Sequence, residues 1–146
     1  MILNKIGMIT IGQSPRIDMV PEMRKILGSG VQIHEAGALD GLTLEDVKEF
    51  YPKGRDYVHC TRMSDGTEVV VAKKFIMPRV HKCIDLLSRK GAEVIVLVCT
   101  GLFPPFSSRK LFIEAQKILD HLWPQNEYAE GLHQGCQHPQ GHLLRL

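Results

Sequence analysis

A chain of 146 residues is long enough for one core-bearing domain. Hydrophobic residues make up 44% and charged residues 23%, the composition of an ordinary globular protein. The net charge of +2 with neutral histidines leaves no electrostatic case for binding nucleic acid or a membrane surface.

The first apolar run, 6–11, is short and nearly continuous, which suits a strand buried on both faces of a parallel sheet. Gly12-Gln13-Ser14-Pro15-Arg16 then forms a turn. A helix is expected from about Asp18, with Pro21 in its first turn and Val20, Met23 and Leu27 at helical spacing, closed by Gly28 and Gly30. Residues 31–36 alternate as a second strand. Thr43 reads as the N-cap of a short helix, with Glu45 and Asp46 in its first turn. Residues 57–63 and 68–72 flank an Asp65-Gly66 turn and predict a β-hairpin.

A longer helix is expected over 75–89, with Pro78 in its first turn, Val80, Ile84 and Leu87 as its buried stripe, and Gly91 as its end. The run 94–98, five consecutive Val, Ile and Leu residues, completes a βαβ unit. A Pro-rich loop and a helix over 108–121 follow. Beyond Trp123 no period of two or 3.6 persists, so 123–146 reads as an irregular or disordered tail behind a domain over 1–122. His133, His138 and His142 lie within ten residues, but no acidic or thiolate partner stands at ligand spacing except Cys136, and no metal site is assigned.

The expected fold is therefore an α/β, flavodoxin-like three-layer domain with a mostly parallel sheet and an added hairpin. Cys60, Cys83, Cys99 and Cys136 form no C-x-x-C pair, which argues against a thiolate zinc site. Cys60 and Cys83 read as small hydrophobes. The N-terminal residues lack a signal-peptide layout, and no apolar run spans a bilayer, so a cytoplasmic protein with reduced thiols is expected.

In open parallel sheets, ligands bind beyond the carboxyl ends of the strands. After the first strand, the Gly12 turn offers backbone N–H groups, the Ser14 hydroxyl and the planar Arg16 cation, together suited to a carboxylate or phosphate. The turn matches neither G-x-G-x-x-G nor G-x-x-x-x-G-K-[ST], and a plain polar turn with Arg16 in solvent is an equal reading. After the strand 94–98, Cys99 stands at the sheet mouth near loop N–H groups that favour a thiolate, with Thr100 to orient a ligand and Gly101 to allow close approach. A packed strand-end cysteine is the plainer alternative. Ser107, Ser108 and Arg109, at the start of the expected helix, form a second anion-binding set, and Glu114 reads as an early-helix carboxylate. His34, His59 and His81 read as isolated, and Asp40, Glu45, Asp46 and Glu49 as a solvated face.

The segments from Thr10 to Asp18 with Pro21-Glu22, from Asp65 to Val70, Lys90-Gly91-Ala92-Glu93, and from Val94 to Pro104 resemble, in that order, the motifs of AroM-family proteins. The likeness covers about residues 4–119. That family is similar to the Asp/Glu racemase superfamily, whose two α/β domains each supply a cysteine that exchanges a proton at the α-carbon of a carboxylate substrate without a cofactor. The resemblance implies Cys99 as the proton-transfer residue and Gly12, Ser14, Arg16, Thr100 and Gly101 as substrate contacts. It implies no metal and a small carboxylate-bearing molecule as partner.

Family members are longer, with a second domain and second cysteine, and Cys136 follows no β run. A frameshifted or prematurely ended reading frame is the simplest expectation for the tail. The strand 94–98 would then pack incompletely, and exposed apolar surface would favour instability or a homo-oligomer. Three readings follow: a cofactor-independent racemase or isomerase, active in the full-length family architecture; a non-catalytic small-anion binder or regulator; and a truncated inactive fragment.

Overall fold

Continuous apolar strands belong in the middle of a parallel sheet, because both of their faces meet helices or loops. The computed structural model, which describes residues 3–122, puts them there. Its main sheet is parallel and four-stranded: β1 (Lys5–Thr10), β2 (Gln32–Gly37), β5 (Val94–Leu97) and β6 (Leu111–Glu114), in the order β2-β1-β5-β6. A separate antiparallel hairpin joins β3 (Val58–Arg62) to β4 (Glu68–Ala72). Without the hairpin, the four parallel strands run 2-1-3-4, the flavodoxin-like order.

Alternate residues of β1 and β5 feed two cores. Ile9, Ile11, Ile95 and Leu97 join the larger core with Ile76, Val80, Ile84 and Leu87 of α3 (Lys73–Arg89). Ile6 and Met8 join a smaller core with Val20 of α1 (Val20–Leu27), against which Val96 and Val98 pack half-buried. The strand 94–98 is therefore sealed on its α3 face, where Ile95 and Leu97 have no exposure, and part-open on the other. Strand β6 pairs along the other edge of β5, so β5 has a strand on each side.

Local signals explain most elements. Thr43 caps α2 (Leu44–Lys48): its hydroxyl accepts from the Asp46 N–H at 3.2 Å, and Asp46 accepts in return from the Thr43 N–H at 2.8 Å. Gly66 turns the hairpin at a φ of 89°, a conformation that other residues rarely adopt.

Three expectations change. Helix α3 begins at Lys73, directly after β4, so Pro78 sits inside the helix, beyond its first turn. Leu27 is 36% exposed, so the α1 stripe narrows to Val20 and half-buried Met23. The helix expected over 108–121 divides into β6 and α4 (Ala115–Leu122). The apolar run from Leu111 to Ile113 pairs with the edge of β5, and this tertiary pairing overrides the helical period. Ser107, Ser108 and Arg109 thus begin no helix. Parallel pairing of Val94 with Leu111 places them at the amino end of the sheet, away from Cys99, where the Ser108 hydroxyl bonds the Lys110 backbone at 3.0–3.1 Å. The expected tail over 123–146, with its histidines and Cys136, lies outside the described residues.

Candidate functional site

Strand β1 connects to β2 on one side, while the chain that returns through the hairpin and α3 places β5 on the other. The two connections diverge, and in open α/β sheets such a switch point, here the carboxyl ends of β1 and β5, is where the ligand crevice lies. Both stretches that carry candidate chemistry emerge there: the Gly12 turn from β1 and the Cys99 loop from β5. The Val98 N–H donates to the Ile9 carbonyl at 2.8 Å, which extends the strand pairing to the residue before Cys99.

The turn is held on several sides. A Cβ on Gly12 would stand 2.3 Å from the Arg62 carbonyl oxygen and 2.5 Å from the Thr61 hydroxyl, so only glycine lets the hairpin approach this closely. The Gln13 N–H donates to the same Arg62 carbonyl at 3.0 Å. The Gln13 side chain donates to the carbonyls of Leu39 and Leu42 and accepts from the Ser64 N–H at 2.8 Å. The Ser14 hydroxyl and backbone N–H both donate to the Asp40 carboxylate at 2.7 Å, and the Gly37 N–H donates to the same carboxylate. The Ser14–Pro15 peptide is cis.

Arg16 sits at the inner edge of this turn. Its Nη1 donates to the Thr10 hydroxyl at 3.0 Å, and its backbone N–H donates to Glu35 at 2.7 Å. The remaining fork, Nε and Nη2, grips the Asp18 carboxylate at 2.8 and 2.7 Å. That charge-assisted bond holds the Asp18 carboxyl down at about 2, against a small opposing effect of burial. The Arg16 guanidinium is pushed up, first by the bond to Asp18, with burial opposing and the charges of Asp18, Glu35 and Cys99 assisting. The side chain is 17% exposed, so it does not hang in solvent.

Cys99 is half-buried and packs against the larger core, and its Sγ accepts the Gly101 N–H at 3.3 Å. A Cβ on Gly101 would meet the His59 ring at 2.5 Å and Phe103 at 3.2 Å. His59 stacks on Phe103 with ring centroids 4.8 Å apart, and its Nε2 is buried without a hydrogen-bond partner among the described residues. Burial, reinforced by the charge of Lys73, pushes the imidazole below its ordinary value. Thr100 is exposed.

The structure thus brings Gly12, Ser14, Arg16, Cys99, Thr100 and Gly101 to the carboxyl ends of two adjacent strands. Two readings are corrected. Asp40 is no solvated acid, since it anchors Ser14, and His59 is not isolated, since it covers Gly101. Asp18 and Glu35 also join the site without having been singled out. The Arg16-Ile17-Asp18 spacing was the only local signal for the first of them; Asp40, Glu35 and His59 arrive from other elements, which sequence spacing does not relate. Glu114 lies at the end of β6, 9% exposed and paired with Lys117 at 2.5 Å. Among the described residues no cluster of three or more His, Cys, Asp or Glu could hold a metal, and no helix is long and apolar enough to cross a membrane.

A family model described as AroM protein matches residues 6–142. The chain belongs to the AroM family. The match takes in both arms of the crevice and continues past residue 119, where the likeness in the sequence motifs ends. No curated protein and no solved structure matches this AroM chain.

Proposed function

We propose that the crevice between β1 and β5 binds a small carboxylate and that Cys99 moves a proton at the carbon beside it. The observation that carries this reading is a thiol and an arginine at the carboxyl ends of two adjacent strands: the Gly101 N–H donates to the Cys99 Sγ at 3.3 Å after β5, and Arg16 lies on the turn after β1, its neighbour in the sheet. A backbone N–H and a nearby cation both stabilise thiolate, the form that accepts a proton. The implied kinship with cofactor-independent racemases agrees with this chemistry.

The ligand carboxylate takes the Arg16 fork in place of Asp18, in the same bidentate geometry. The thiolate then removes the α-proton: the C–H bond breaks, an S–H bond forms, and the electron pair moves toward the carboxylate oxygens, where Arg16 steadies the added charge. Return of the proton from sulfur completes exchange. Inversion requires a second donor on the opposite face of the carbon. Gly12 admits the hairpin and Gly101 admits the His59 ring, which together brace the two arms, and exposed Thr100 follows Cys99. Ser14, whose O–H is committed to Asp40, first holds the turn in shape and meets the ligand only on release from Asp40.

The test is solvent exchange. Small amino and hydroxy acids incubated with the full chain in deuterated water should gain deuterium at the α-carbon. Cys99→Ala should abolish the exchange, and Arg16→Met should slow it at least tenfold. Exchange that survives Cys99→Ala, or none with any acid tried, contradicts the proton-transfer role. If carboxylate binding persists in Cys99→Ala without exchange in the parent, the crevice is a non-catalytic anion site. That second reading draws on the two acidic side chains, Asp18 and Asp40, already seated on its donors.

A further inference from the structure

A cleft of about 590 Å³ opens beside the crevice and is lined by none of Gly12, Ser14, Arg16, Cys99, Thr100 or Gly101. Its size lies within the range of small-molecule sites. Tyr57 and Phe103 form aromatic walls, with Met77 and Leu102 adding apolar surface. The Lys73 ammonium stands between the rings, 4.9 Å from the Tyr57 centroid and 5.6 Å from that of Phe103. Arg55 also lines the cleft. Neither Lys73 nor Arg55 makes an ion pair among the described residues, whereas the third cation, Lys74, is neutralised by Asp56 at 2.9 Å. Asp56 also lines the cleft, but its carboxylate is engaged by Lys74 and by the Lys53 N–H, so the cleft combines aromatic walls with two cations that make no ion pair among the described residues.

We propose that this cleft is a binding site for an aromatic carboxylate, distinct from the crevice that holds Arg16 and Cys99. The ring of the ligand displaces the Lys73 ammonium from the faces of Tyr57 and Phe103 and lies against them, where aromatic pairs gain beyond their buried area. The carboxylate meets Lys73 and Arg55, which supply charge-assisted donors at the rim of the cleft. An aliphatic acid lacks the ring contact, and a neutral aromatic amide lacks the charge, so either alone binds weakly. The site does not depend on proton transfer by Cys99.

Benzoate, benzamide and acetate titrated into the full chain, followed by NMR of the Tyr57 and Phe103 ring signals, test the proposal. Benzoate should saturate, with benzamide and acetate each at least tenfold weaker. Lys73→Met should weaken benzoate at least tenfold, Lys73→Arg should keep most of the affinity, and the exposed Arg55→Gln should weaken it severalfold. Arg16→Met should leave it unchanged. Benzamide binding as tightly as benzoate, or unaltered affinity in both Lys73→Met and Arg55→Gln, overturns the site. Loss of binding in Arg16→Met alone also overturns it, because the anion then sits in the crevice.

Discussion

Arg16 spends Nε and Nη2 on Asp18, so any incoming carboxylate competes with a carboxylate already in place. Asp18→Asn should therefore tighten anion binding at the crevice severalfold, measured by calorimetry with acetate or a small hydroxy acid. Mild acid should not have this effect. The Asp18 carboxyl is held at about 2, below its ordinary 3.8, so its contribution to stability is complete above about 3.8 and is lost as pH falls from there through about 2. Asp18 is 40% exposed, and such a pair is worth at most about 1 kcal/mol. His59 runs the other way in charge but not in slope. Its folded value lies below the ordinary 6.5, so the unfolded chain takes up the proton first, and stability declines as pH falls from 6.5 through the folded value. His59→Gln should flatten that part of a stability-against-pH curve. At Cys83, burial, with the charge of Asp40, lifts the thiol to about 11, so it should resist alkylation while the fold is intact.

The hairpin does more than extend the fold. Its β3 strand packs on the Gly12 turn through Arg62 and Thr61, while His59 on the same strand covers Gly101, so one element braces both arms of the crevice. Gly12→Ala forces a Cβ into the Arg62 carbonyl and should cost about 1–3 kcal/mol, read as a lower midpoint in thermal or urea unfolding. Elements governed by local chemistry were legible in the sequence. Thr43 with Asp46 marked α2, Asp65-Gly66 marked the hairpin, and the uninterrupted run from Val94 to Val98 marked a central strand. Residues 108–121 show the converse. Leu111, Phe112 and Ile113 suit either a helix face or a strand, and only the open edge of β5 decides between them.

At the scale of the whole molecule, the strand order β2-β1-β5-β6 makes the site, because it leaves β1 and β5 adjacent with their connections leading apart. The candidate residues of the crevice were readable as strand-end residues, since a Gly turn and a cysteine each closed a buried run. Their supports were not readable. Asp40 reaches Ser14 across 26 residues, and His59 reaches Gly101 from a different sheet, so neither pairing leaves a local pattern.

In the proposed reaction a thiol and a guanidinium act on the same small anion. Iodoacetate and iodoacetamide deliver the same carbon to sulfur, one with a carboxylate and one without, so their rate ratio at Cys99 reports the field of Arg16 directly. Peptide mapping of the full chain should give a ratio that favours iodoacetate, lowered severalfold by Arg16→Met. A ratio at Cys99 that is the same in the parent and in Arg16→Met would contradict the shared rim.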